Sequence, residues 1–244
     1  MRILVLADIH GNWPALEAIV SRESFDVCWC LGDLVDYGPF GAECVDWVRE
    51  HCAHVVRGNH DHAVAHFVNG RGEDGYRYLA RVSREWMWKQ LSSEQLRYLA
   101  KLPVSLDVRH ETGTVHLYHA TPRDAMDEYL GPDERAWHER VQSLHGQLLC
   151  VGHTHLPFLL QLGERMVLNP GSVGQPRDGD PRAAYAIIEG TRVQLNRVEY
   201  PIERMVAAIR GTDWPARAKE WSIAVLKHGG IRPVLEQLRQ QVPT

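Results

Sequence analysis

The chain has 244 residues, 44% hydrophobic and 24% charged, enough for one large core or for one core with an appendage. Its formal net charge is −4, and no Lys/Arg-rich run stands out, which argues against duplex nucleic acid or an anionic membrane as a partner. The five cysteines (Cys28, Cys30, Cys44, Cys52, Cys150) are an odd number without a CxxC pair and read as reduced, mostly core thiols.

The chain opens on a continuous β-branched run, Ile3 to Ala7, the pattern of a strand buried on both faces. That run is too short for a signal-peptide core and is followed by an acid, and no stretch of about 18 apolar residues occurs, so neither secretion nor a membrane span is expected. A cytoplasmic protein is the expectation. A helix follows, with Asn12 as N-cap, Pro14 in its first turn and an apolar stripe of Ala15, Leu16, Ala18 and Ile19. "VCWCLGD" repeats the strand-then-loop design, "GAECVDWVREH" gives a second helix, and "HVVRGNHD" gives a third strand ending in a polar loop. This βαβαβ order implies a parallel sheet with right-handed crossovers.

The middle is more helical, in "YRYLARVSREWMWKQL" and "SSEQLRYLAKL", where Ser92 and Gln95 fit a capping box. "VSLDVRHETGTVHLYHA" then alternates around Thr112-Gly113 as a hairpin would. "PDERAWHERVQSLHG" returns to helix, and "QLLCVGHTH", "ERMVLNPGS", "AAYAIIE" and "RVQLNRVEY" read as strands. From Pro201 onward the spacing is helical again. Residues 1–200 therefore read as the main unit, and residues 201–244 as a helical segment packed on the same domain.

Chemistry concentrates where the strands stop. Asp8 and His10 follow the first strand, Asp33 the second, Asn59, His60 and Asp61 the third, His119 the hairpin, and His153 and His155 a later strand. Each alone also fits a turn, a helix cap or an exposed histidine pair. Together they are metal-ligand types at the carboxyl ends of strands, where open α/β sheets place their ligands.

"DIH" at 8–10, "GDLVD" at 32–36, "GNHD" at 58–61, "YHA" at 118–120 and "GHTH" at 152–155 resemble the motifs of the calcineurin-like metallophosphoesterase superfamily. "NPGSVGQPR" at 169–177 is similar to its smaller bacterial and archaeal branch of phosphodiesterases and dinucleoside-tetraphosphate hydrolases. The resemblance implies an α/β sandwich, αββα, with two central mixed sheets flanked by helices. It implies one metal held by Asp8, His10, Asp33 and His155 and another by Asp33, Asn59, His119 and His153, with Asp33 bridging. Ala120 stands where the family usually has Gly. The oxygen and imidazole ligands suit two divalent ions, Mn²⁺ or Fe first, with Zn²⁺, Ni²⁺ or Mg²⁺ as further candidates.

By the same resemblance His60 donates a proton to the leaving oxygen while Asp61 orients its ring. Arg57, Arg123 and Arg177 lie close enough in sequence to these motifs to be candidates for the phosphate oxygens. Gly171 and Gly174 read as a tight loop near the metals. The expected function is metal-dependent hydrolysis of a small phosphorylated substrate, with a nucleotide and asymmetric cleavage of a dinucleoside tetraphosphate as the leading case. The alternatives are other phosphodiesters, a phosphoprotein, or a non-catalytic scaffold for protein partners. His60 and the full ligand set speak against the scaffold. Oligomeric state is not legible.

Overall fold

A computed structural model describes residues 1–111 and 113–230. The first strand, β1 (Arg2–Leu6), leads into α1 (Trp13–Arg22), whose cap Asn12 accepts from the Ala15 amide and whose second residue is Pro14. β2 (Val27–Cys30), α2 (Gly41–His51) and β3 (Cys52–Val55) complete the expected repeat, with β1, β2 and β3 parallel. The polar segment expected after β3 is instead a short helix, α3 (Asn59–Ala65), and α4 (Gly75–Gln90) and α5 (Ser93–Lys101) follow. Ser92 and Gln95 close the capping box on α5.

The hairpin is β4 (Ser105–His110) with β5 (Gly113–Tyr118); Thr112 of its expected turn lies outside the described residues. Next come α6 (Glu134–Val141), β6 (Leu148–Cys150), β7 (Phe158–Leu162), β8 (Arg165–Asn169), β9 (Ala183–Glu189) and β10 (Arg192–Val198). β7 is a strand that the sequence reading leaves unassigned. It lies on a sheet edge with Leu159 in solvent, so the apolar alternation of a half-buried strand is blurred. α7 (Ile202–Gly211) and α8 (Ala216–His228) end the described chain.

Two five-stranded mixed sheets result, ordered β10-β9-β1-β2-β3 and β4-β5-β6-β8-β7. They stack face to face. Ile3, Val5 and Ala7 meet Val115, Leu117, Cys150 and Leu168 between the sheets, whereas Leu4 and Leu6 point the other way into a core shared with the helices. That two-sided burial is why the opening run is apolar throughout. On the outer side of the second sheet Trp137 and Val141 of α6 pack on Leu149 and Val167. The layers are therefore helix, sheet, sheet, helix, as the resemblance implies.

Met205, Ile209, Ala218 and Val225 of α7 and α8 join the core of the first sheet's helical layer, beside Leu16 and Tyr78. All five cysteines are free; Cys28 and Cys52 face each other across β2 and β3 with Sγ atoms 3.2 Å apart. Among the described residues no helix is long and apolar enough to cross a membrane.

Candidate metal centre and active site

The carboxyl ends of β1, β2, β5 and β6 converge, and the side chains that follow them form two adjoining groups. Asp8, His10 and His155 make one group, and Asp33, His119 and His153 the other. Asp33 lies between them: its Oδ2 is 3.3 Å from His119 Nε2 and 3.7 Å from His10 Nε2. Asn59, the first residue of α3, brings its Oδ1 to 3.3 Å from His119 Nε2. His155 Nε2 is 3.7 Å from Asp8 Oδ1, and His153 Nδ1 is 3.2 Å from His119 Nε2. All seven expected ligands are thus brought together.

The backbone must bend sharply to do this. Asp8, His10, Asp33, His153 and His155 all sit at φ between 49° and 66°, in the left-handed region that side chains other than glycine rarely adopt. Five such residues in one place store strain at the site rather than in the scaffold. Gly174 acts as the sequence reading expects, since a Cβ there would stand 1.9 Å from the Ile9 carbonyl oxygen.

The donor set fits cations. His10, His119 and His155 each donate from Nδ1 to a backbone carbonyl, of Val35, Leu31 and Gln175 respectively, at 2.6–2.9 Å. Their Nε2 atoms therefore face inward; burial lowers His119 but Asp33 outweighs it and raises the ring to about 10, so an ion there would displace its Nε2 proton. His10 Nε2 and His155 Nε2 meet at 3.2 Å, two acceptors with nothing to share unless a cation stands beside them. Asp8 Oδ2 and Asp33 Oδ2 are buried with no hydrogen-bond partner among the described residues.

Burial, together with the neighbouring Asp33, pushes the Asp8 carboxyl up to about 7. Burial would raise Asp33 as well, but the neighbouring His119 holds it well below the usual carboxylate range. Burial keeps His10 and His155 well below the ordinary imidazole value, so they stay neutral. Neutral imidazoles and unpaired carboxylates are what divalent ions require.

His60, second residue of α3, borders this centre. Its Nδ1 donates to Asp36 Oδ2 at 2.7 Å, and its backbone N–H donates to Asp33 Oδ1 at 2.9 Å. Arg84 of α4 donates to the same Asp36 oxygen from Nε at 3.0 Å and Nη2 at 2.5 Å. The preceding residue, Ser83, accepts the Tyr37 N–H at 2.7 Å, so α4 grips the 36–37 turn twice.

This corrects the expectation for Asp61. Asp61 accepts from the backbone amides of Asp33, Leu34 and Gly58 at 2.8–3.0 Å and makes no contact with the His60 ring. As the third residue of α3 it reaches back to the helix N-terminus and braces the Asp33 turn. The residue that orients His60 is Asp36.

A family model described as "Calcineurin-like phosphoesterase superfamily domain" matches residues 1–192. The chain belongs to this superfamily. A crystal structure of a metallophosphoesterase from Sphaerobacter thermophilus is 36% identical, covers 94% of this chain and 99% of its own, and superposes with a TM-score of 0.79. The uncharacterized protein MJ0912 of Methanocaldococcus jannaschii is 33% identical over 83% of this chain and 89% of its own. The phosphodiesterase YfcE of Escherichia coli is 26% identical over 78% of this chain and 88% of its own. A shorter match, 36% identical over 25% of this chain and 24% of the relative, joins it to the symmetrical bis(5'-nucleosyl)-tetraphosphatase of Erwinia tasmaniensis. The protein is accordingly a hydrolase of phosphoesters, from a metal-dependent family.

In this calcineurin-like phosphoesterase the centre opens into a cavity of about 550 Å³ bordered by His60, Tyr37, Tyr76, Tyr129 and Arg177. Arg177 is the one of the three expected arginines that the fold brings there. Its guanidinium lies 3.9 Å from the centroid of Tyr76 and 5.8 Å from that of Tyr37, and its Nε is buried with no hydrogen-bond partner among the described residues. Arg57 and Arg123 do not border the cavity. Arg57 turns back to the Ala100 carbonyl at 2.7 Å, and Arg123 pairs with Glu128.

Sequence reasoning missed Asp36, Arg84 and three residues of the cavity wall, Arg71 before α4 and Tyr76 and Arg77 in its first turn. Asp36 was visible as the last letter of "GDLVD". The charges of "RGEDGYR" at 71–77 are visible in the sequence, but its composition does not say which of them face inward.

Proposed function

We propose that this chain is a two-metal phosphoesterase that hydrolyses small nucleotide phosphoesters or anhydrides, dinucleoside tetraphosphates with an asymmetric split among them. The observation that carries it is the Asp36–His60 pair beside a converged set of seven ligands: the set can hold metal and the pair can deliver a proton. In this reading Asp8, His10 and His155 hold one ion, Asn59, His119 and His153 the other, and Asp33 touches both. Mn²⁺ or Fe is the preferred occupant. When bound, the ions supply positive charge to the phosphoryl oxygens and an activated water.

The chain's own residues do the rest. Asp36 accepts the Nδ1 proton of His60 and so fixes the tautomer, leaving Nε2 as the nitrogen that exchanges a proton with the leaving oxygen. Arg84 holds the Asp36 carboxylate in place. Arg177, a planar fork half-buried at the cavity and stacked on Tyr76, binds non-bridging oxygens bidentately. Tyr129 offers an exposed ring against which a base can stack. The cavity volume suits a nucleotide rather than a protein segment. With reduced cysteines, the cytoplasm is the proposed compartment.

The test is a screen of purified protein, with Mn²⁺ added, against nucleotides, phosphodiesters and a phosphopeptide, with products resolved by chromatography. ATP plus AMP from diadenosine tetraphosphate supports the proposal. Two molecules of ADP would refute the asymmetric cleavage position, and turnover of the phosphopeptide alone would refute the substrate class.

A further inference from the structure

Residues 71–77, RGEDGYR, carry two arginines and two acids, and put Arg71, Tyr76 and Arg77 on the lip of the cavity. The charges divide by direction. Glu73 pairs with Arg81 at 3.4 Å and Asp74 with Arg217 at 2.8 Å, both away from the cavity. Arg71 and Arg77 border the cavity, and no ion pair or hydrogen bond to either side chain occurs among the described residues. The nearby acids that could neutralise them are thus engaged elsewhere.

The backbones that carry the two cations are held close together. Gly72 has φ +124°, and a Cβ on it would stand 2.7 Å from the Cβ of Arg77, so the backbone next to Arg71 lies directly against Arg77. The segment is pinned without any ligand: Arg84 Nη1 donates to the Val68 carbonyl at 3.2 Å, and Arg177 lies over Tyr76 at 3.9 Å. Besides Asp33, the carboxylate bordering the cavity is Asp127. A chain of net charge −4 therefore gathers Arg71, Arg77 and Arg177 around one cavity with little to balance them. Like charges held side by side are unfavourable until an anion lies between them.

We propose that Arg71 and Arg77 form a second anion subsite of this cavity, which takes a further phosphate joined to the one being hydrolysed. The proposal rests on the reading of the metal centre as the place of hydrolysis, and it narrows the substrate class to compounds with a phosphoanhydride chain. The guanidinium forks bind the distal phosphate by charge-assisted hydrogen bonds while the reacting phosphate lies at the centre. A single-phosphate ester leaves the subsite empty.

Calorimetric titration of the whole protein with AMP and with ADP, Mn²⁺ in excess, reads the subsite by affinity, at a temperature where chromatography of the cell contents finds both ligands intact. ADP should bind at least about tenfold more tightly than AMP, and in Arg71→Ala/Arg77→Ala the two affinities should converge. Both side chains are exposed and engage nothing in the fold, so the variant should keep its melting temperature. The ratio of kcat/KM for diadenosine tetraphosphate over bis(p-nitrophenyl) phosphate should fall by the same factor. Equal affinities in the parent protein, an ADP preference that survives the double substitution, or equal weakening of both ligands would each overturn the subsite. A parent protein that prefers ADP through these arginines yet hydrolyses no phosphoester would refute the hydrolytic reading and leave the subsite standing.

Discussion

Asp36 Oδ2 accepts the Nδ1 proton of His60 at 2.7 Å, across 24 residues of chain, and in doing so decides which imidazole nitrogen faces the cavity. Asp36→Asn replaces an ionised acceptor with an amide that can present its NH₂ to the ring and stabilise the wrong tautomer. It should lower kcat by roughly 10²–10⁴ on alkyl phosphodiesters, the span expected when a general acid is lost, and His60→Ala should do the same. Both should lose much less on p-nitrophenyl esters, whose leaving group needs little protonation. Equal losses on both ester classes would take the pair out of proton transfer.

Arg84 shares one buried carboxylate oxygen with His60. Arg84→Ala strips the counter-charge from a fully buried Asp36, and breaking a buried pair in this way costs about 3–5 kcal/mol. The urea midpoint should fall accordingly, with Arg84→Lys intermediate because one ammonium cannot reproduce a two-armed contact. An unchanged midpoint in Arg84→Ala would show that the pair contributes nothing net.

Asp61→Asn distinguishes bracing from catalysis. Asp61 accepts three backbone amides and does not touch the ring, and one of its acceptor positions becomes a donor in the variant. The expected result is a lower melting temperature and weaker metal retention, with the leaving-group dependence of the parent protein. A changed leaving-group dependence would return Asp61 to the role that Asp36 holds here.

Metal content tests the shared position of Asp33. Protein purified without chelator should carry close to two divalent ions per chain by elemental analysis, and Asp33→Ala should deplete both. Chelation should lower the melting temperature, because ions bound to the native state stabilise it by mass action and their removal leaves Asp8 and Asp33 facing each other unneutralised. Full occupancy in Asp33→Ala would refute the bridge.

Arg177→Ala removes a cation whose Nε has no hydrogen-bond partner among the described residues. KM for diadenosine tetraphosphate should rise about tenfold or more, with a smaller rise for an aryl monoester. Steady-state kinetics on the two substrates decides this, and equal effects on both would make Arg177 a ligand of the reacting phosphate alone.

The sequence by itself determined the strand order β1, β2, β3 and the identity of the metal-ligand types, because both are local. A strand buried on two faces must be apolar throughout, so Asp8 and Asp33 stand out as the first acidic groups after such runs. Tertiary structure alone decided what those groups touch. Asp36 and Asp61 are two acids of the same kind at strand ends, and nothing near them in the chain says which one meets His60. The choice is made 48 residues beyond Asp36, where α4 delivers Ser83 and Arg84 to the 36–37 turn. The arginines divide for the same reason. Arg57 and Arg123 stand next to the motifs in sequence but find partners in Ala100 and Glu128, whereas Arg71 and Arg77 carry no motif and reach the cavity because Glu73 and Asp74 turn outward to Arg81 and Arg217. Residue type and strand periodicity are written along the chain; the pairing of charges depends on which side chains the packed helices bring within hydrogen-bond reach.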